Sequence, residues 1–144
     1  ASRGPQTSQI LVVENSLRFI CGLDSLWACH PCLSILVVNV QNSETAGVNH
    51  GFLLNAGNFT KLDFPGATFT QALGLNNQQQ VVGFYMDAAG LTHGFVYNNG
   101  TFQPVDDPSG IGTTTINGTN DLGQIVGFYV DSSGNTDGFL GTPQ

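Results

Sequence analysis

Two histidines and five aspartates stand at matched places along this chain, and they are the residues best suited to acid–base or metal chemistry. His50 and His93 lie 43 residues apart, and Asp137 follows at the same position 44 residues further on. Asp63 and Asp106 share the 43-residue spacing, while Asp87 and Asp131 are 44 apart. Histidine titrates near neutral pH, so His50 and His93 are the candidates for moving protons. Carboxylates with amide and backbone oxygens are what Ca²⁺ prefers. Asp63, Asp87, Asp106, Asp131 and Asp137 are therefore the candidate ligands for calcium or another divalent metal, with Asn76, Asn77, Asn120 and Asp121 nearby. None of them follows the EF-hand spacing. The same residue types also have structural uses: a histidine can cap a turn, and an aspartate closes Asx and type I turns.

Cys29-His30-Pro31-Cys32 has the C-x-x-C spacing of thiol exchange, of a short disulfide and of half a zinc site. Cys21, His50 or His93 could complete a set of four ligands, but no second C-x-x-C or H-x-x-x-H is present. A disulfide or inert thiols, and a structural zinc, both stay open for Cys29 and Cys32. Nucleophilic catalysis by serine is not signalled, since G-x-S-x-G is missing. The only two glutamates, Glu14 and Glu44, lie outside the clear repeats, which weakens a paired-carboxylate glycosidase.

What must position these residues is a repeat. His50-Gly51-Phe52-Leu53, His93-Gly94-Phe95-Val96 and Asp137-Gly138-Phe139-Leu140 are three copies of one signature. Gly57, Phe59, Asp63 and Pro65 recur 43 residues on, whereas Asn76, Gln80, Val82, Gly83, Phe84, Tyr85, Asp87 and Gly90 recur 44 on. One residue is therefore inserted between Pro108 and Thr114. The period falls in the range of about 40–45 residues typical of four-stranded propeller blades. Within one copy, 51–54, 59–64, 69–75 and 81–86 read as strands separated by turns, and we expect these four to make one blade. Asn55-Ala56-Gly57 and Asn98-Asn99-Gly100 suit tight hairpins. Asp87-Ala88-Ala89-Gly90 and Asp131-Ser132-Ser133-Gly134 suit a type I turn closed by glycine. Residues 81–85 and 125–129 are apolar nearly throughout and read as core strands covered on both faces.

The pattern HGF[LV], then Asn-x-Gly, then an Asp-x-Pro-like turn, then Asn-(Asn/Asp)-x-x-Gln-[VI]-V-G resembles the bacterial extracellular HAF-repeat family across residues 50–140. This chain carries Gly where the family's name places Ala after His. The resemblance implies a propeller-like fold and an extracellular or periplasmic location. It implies no catalytic residue.

Composition agrees with an all-β chain. Only 9% of the 144 residues are charged, and 19 are glycine, a mix that suits turns and disfavours helix interiors. The net charge of -7 repels phosphate backbones and anionic lipid, so no nucleic-acid partner and no membrane are expected. The longest apolar run, 33–40, is far shorter than the roughly 20 residues of a membrane helix. Residues 1–40 read as an atypical N-terminal segment whose first few residues could be foreign to the fold; 41–144 hold the repeats as 50–92, 93–136 and a partial 137–144. Strands at 10–13, 17–20 and 33–40 would bring the total to three blades. Propellers use 4 to 8 blades, so ring closure calls for a homo-oligomer, most simply a two-fold dimer.

Two functions follow from these residues. The first is an extracellular-type binding or interaction module that offers loop-rim Asn, Thr, Tyr and Phe to a glycan, a small molecule or another protein, with some affinity for divalent metal. The alternative is a Ca²⁺- or other divalent-metal-dependent hydrolase of a lactone or ester, with the ion at the ring centre and His50 or His93 moving protons.

Overall fold

The computed structural model describes residues 36–41, 49–55 and 57–143. Cys29 and Cys32, with the rest of the segment before Leu36, lie outside these residues. The described residues form ten strands and no helix. They are β1 (Leu36–Gln41), β2 (Asn49–Asn55), β3 (Asn58–Leu62), β4 (Phe69–Leu75), β5 (Val81–Met86), β6 (Thr92–Asn98), β7 (Thr101–Val105), β8 (Thr115–Thr119), β9 (Ile125–Val130) and β10 (Thr136–Gly141).

The strands pair into three small antiparallel sheets, ordered β1-β2-β3, β4-β5-β6-β7 and β8-β9-β10, none of them closed into a barrel. Within the repeats the strand positions expected from sequence are met, but their grouping is not; the strands expected at 10–13 and 17–20 lie outside the described residues. Strands 51–54 and 59–64 were expected to share a sheet with 69–75 and 81–86; instead the chain leaves the first sheet after β3 and begins the second at β4. The sheet boundary thus falls inside the sequence repeat, in the links 63–68 and 106–114. Those links carry Pro65 and Pro108, which lack the donor a continuing ladder needs.

The first and second sheets each bury one face against the next. Leu53 and Leu62 of the first sheet pack with Ala72, Leu75, Val81 and Phe95 of the second, and Phe64, Tyr85, Tyr97 and Phe102 close around them. Phe64 stacks on Tyr85 with ring centroids 3.6 Å apart. On the opposite face of the second sheet, Val82 packs with Ile116 and Ile125, joined by Val96, Val105 and Phe139. Phe95 and Ile116 have no exposed surface, and burying one such side chain stabilises the fold by about 1.5–3 kcal/mol.

Glycine makes the close approach possible. A side-chain carbon at Gly74 would lie 3.0 Å from the Cα of Gly118, so β4 and β8 meet backbone to backbone. Both glycines sit at a register shift in their strand pairing, between Ala72 and Gly74 and between Ile116 and Gly118. A bulge of this kind bends the strand and raises its twist.

Candidate functional site

The alternation of hairpins sorts the loops into two ends with different chemistry. One end gathers 55–58, 76–80, 98–101 and 120–124, where Asp121 is the single charged side chain among the described residues. The other gathers the links 63–68 and 106–114, the turns 87–91 and 131–135, and the starts of β2, β6 and β10. It holds His50, His93 and the remaining described acids: Asp63, Asp87, Asp106, Asp107, Asp131 and Asp137.

At the acidic end, His50 is the second residue of β2 and Asp63 is the first residue beyond β3. His50 Nδ1 donates to Asp63 Oδ1 at 2.8 Å. His93 and Asp106 hold the same places on β6 and beyond β7, and His93 Nδ1 donates to Asp106 Oδ2, again at 2.8 Å. Each bond ties the start of one strand to the point where the chain departs for the next sheet. The next residue continues the anchorage: the amide of Phe64 donates to Thr70 Oγ1 at 3.0 Å, and that of Asp107 to Thr114 Oγ1 at 3.1 Å.

The two pairs differ in what surrounds them. Asp63 Oδ2 also meets Lys61 Nζ at 2.7 Å. Pro104 stands 43 residues after Lys61, and Asp106 Oδ1 is buried with no hydrogen-bond partner. His93 instead has a second carboxylate, with Asp87 Oδ2 at 3.6 Å from Nε2, and its ring stacks on Tyr85 at a centroid distance of 5.2 Å. Burial pushes the Tyr85 hydroxyl above its ordinary pKa, and the charges of Asp106 and Asp87 add to the effect.

The other candidate carboxylates are committed to turns. Asp87 Oδ1 accepts from the amides of Ala89 at 2.8 Å and Leu91 at 2.9 Å; Asp131 Oδ1 accepts from those of Ser133 and Asn135, both at 2.8 Å. The Leu91 amide leads in holding Asp87 below the usual carboxylate range, helped by Ala89 and His93. For Asp131 the side-chain amide of Asn135 leads, followed by its backbone amide. Asp137 is exposed on β10, opposite Tyr129. Among the described residues, no three His, Cys, Asp or Glu side chains are grouped to hold a metal ion. His50 and His93 sit in different sheets, each on its own aspartate.

The amide end is built by bonds between sheets. Asn76 Oδ1 accepts from the amides of Gln78 and Gln80, both at 3.0 Å, and Asn120 Oδ1 accepts from those of Leu122 and Gln124 in the same way. From this shared turn, Asn76 Nδ2 donates to the Asn120 carbonyl at 2.9 Å and the Asn77 amide donates to Asp121 Oδ1 at 2.9 Å. Gln78 Nε2 reaches the Asp121 carbonyl at 2.9 Å, and Thr119 Oγ1 reaches Gln80 Oε1 at 3.1 Å. The sequence marked Asn76, Asn77, Asn120 and Asp121 as possible metal ligands, and Asn76 and Gln80 as repeating positions. Their 44-residue recurrence did carry the signal for a lattice between neighbouring turns.

Gln79 has a backbone φ of +62°, in the left-handed region, where Gly123 takes +74° at the same place in the next sheet. That region costs a residue with a side chain about 1 kcal/mol or more. Asn99, at +48°, precedes Gly100 in a tight hairpin that favours asparagine.

No protein-family model matches the chain, and no curated protein and no solved structure matches it.

Proposed function

We propose that this chain is an extracellular-type binding module of β-propeller architecture whose amide-rich end takes up a neutral glycan. Each sheet is then a blade, with β4-β5-β6-β7 the four-stranded example and successive sheets stacked through the Leu53 and Val82 faces. Gln79 carries the reading. It keeps a long amide side chain in a backbone conformation that glycine fills in the neighbouring sheet, and such strain is retained where the side chain has a use.

The setting supports this. Gln78, Gln79, Asn98 and Asn99 are exposed at an end with one charge, while the lattice through Asn76, Asn77 and Asp121 holds the turn that carries Gln78 and Gln79. Amides donate and accept at once, which matches the hydroxyls of a sugar without a charge being desolvated. A prearranged surface also loses less entropy on binding.

The divalent-metal hydrolase of lactones or esters would draw on His93, whose Nδ1 is held by Asp106 so that Nε2 is the nitrogen available for proton transfer. Of the aspartates that reading needs as ligands, Asp87 gives one oxygen to its own turn and Asp131 gives both. The binding module is the stronger of the two.

A glycan array probed with the labelled protein tests the proposal. Binding to neutral oligosaccharides is expected, reduced at least tenfold by Gln79→Gly and by Asn99→Gly, which remove an amide and keep the turn. Silence across all neutral sugar classes would sink it.

A further inference from the structure

Asparagine followed two residues on by threonine is the acceptor triplet for an N-linked sugar. It stands at three places in the chain: Asn58-Phe59-Thr60, Asn99-Gly100-Thr101 and Asn117-Gly118-Thr119. A triplet alone says little in a chain rich in Asn and Thr, so the fold must decide among them. Transfer needs an asparagine amide that a donor can reach and a threonine hydroxyl left free for the enzyme to hold.

Asn58 and Asn99 meet both conditions. Asn58 opens β3 and Asn99 lies in the tight hairpin between β6 and β7, so both stand at hairpin tips of the amide end. Asn58, Thr60, Asn99 and Thr101 are all exposed. None of these four side chains has a hydrogen-bond partner among the described residues. Nearby asparagines are committed instead: Asn55 donates to Gln79, Asn76 to Gln80 and Asn120, and Asn77 to Asp121. Among the described residues, β3 and β7 are also outer strands of their sheets, which leaves one side of each triplet's backbone open. The two triplets are not copies of one another, because the 43-residue repeat pairs Asn58 with Thr101 and Asn99 with Ala56.

Asn117 meets only the first condition. It is exposed, but Thr119 Oγ1 donates to Gln80 Oε1 at 3.1 Å. Gly118, between them, lies where β8 meets β4 backbone to backbone. The neighbouring sheet therefore fixes two residues of this triplet.

We propose that Asn58 and Asn99 are acceptor sites for an N-linked sugar and that Asn117 is not. The donor is a sugar activated as a diphosphate ester at its anomeric carbon. The asparagine nitrogen bonds to that carbon, the carbon–oxygen bond to the diphosphate breaks, and the diphosphate leaves with the electron pair while the nitrogen gives up one proton. This goes beyond the uptake of a free glycan and does not depend on it. A sugar on Asn99 covers the amide that uptake would use, so in any one molecule the two are alternatives.

The test gives the folded chain a soluble N-glycosyltransferase that reads Asn-x-Thr, with a nucleotide-activated hexose, and locates the added mass by peptide mapping. Two hexoses are expected, on Asn58 and Asn99, with Asn117 bare. Asn58→Gln and Asn99→Gln should each lose one hexose, and so should Thr60→Ala and Thr101→Ala, which leave the asparagines in place. Peptides cut from the chain before the reaction should accept hexose at Asn117 as well, because the fold no longer withholds Thr119. A folded chain bare at Asn58 or Asn99, equal hexose on Asn117, hexose that survives Thr101→Ala, or an Asn117 still bare in the free peptides would each overturn the proposal. Glycan binding by the unmodified protein keeps the two readings apart. A chain that binds neutral glycans but accepts no hexose refutes the acceptor sites alone, and one that accepts both hexoses but binds nothing refutes the binding module alone.

Discussion

Asp106 accepts a hydrogen bond from His93, 13 positions earlier, and Asp63 accepts one from His50 at the same separation and the same 2.8 Å. The bond recurs because it solves one problem twice. Each of the first two sheets ends in a strand whose successor lies in another sheet, and the departing backbone must be held where the ladder stops. Histidine at the head of the adjacent strand reaches it. The pair is also the arrangement that orients an imidazole for proton transfer, so stability and chemistry compete for the same residues.

Removing one partner separates those roles. His93→Ala leaves both Asp106 oxygens unpaired, Oδ1 being buried, and we expect a loss of about 1–3 kcal/mol in urea unfolding. Asp106→Asn keeps an acceptor oxygen, so it should cost about 1 kcal/mol or less. Equal stability of the His93→Ala and unaltered proteins would show that the bond does not hold the link.

The orphaned oxygen of Asp106 invites repair. Lys61 serves Asp63 from two residues before it, and Pro104 occupies that place before Asp106. Pro104→Lys should therefore exceed Pro104→Ala in stability by about 1 kcal/mol, read as a higher urea midpoint at constant slope. An advantage absent at low salt would contradict the pairing.

Gln79 offers a trade between stability and use. Gln79→Gly relieves a left-handed φ of +62° and should raise stability by up to about 1 kcal/mol, while glycan binding falls. A rise in stability with binding unchanged would remove Gln79 from the site.

Acid should undo the turns 87–91 and 131–135. Asp87 and Asp131 have pKa values below their ordinary 3.8 because their charged forms accept hydrogen bonds in the folded state. Their contribution is then fully present above pH 3.8 and is lost as pH falls through the lower folded values. Asp87→Asn with Asp131→Asn, which keeps an acceptor that does not titrate, should flatten the decline in stability below that pH. The profile is measured by thermal melts from neutral pH downward.

The strands were legible because their residues alternate between glycine-bearing turns and runs rich in Val, Phe and Tyr. Their grouping was not, since a meander reads alike wherever it is cut. The link 63–68 resembles another turn, and only its length and Pro65 distinguish it from the tight hairpin at Gly57. Glycine at 83 was legible as part of a buried strand but not as a requirement: a methyl group there would meet the carbonyl oxygen of Gln71. Val126 and Phe128 read as core by analogy with Val82 and Phe84, yet they are exposed, because burial depends on a neighbouring sheet that no local pattern records. The 13-residue offset from His50 to Asp63 and from His93 to Asp106 was present in the sequence and was the missed sign that the two repeated sets belong together.

The sheet boundary inside the repeat bears on how such a chain lengthens. A duplicated segment of 43 or 44 residues supplies the closing strands of one sheet and the opening strands of another. No new unit can then stand apart as a separate bead, because its halves are finished by the older sheets on either side. Growth by copying keeps every junction stitched by continuous backbone, and an array built this way gains length without gaining a hinge.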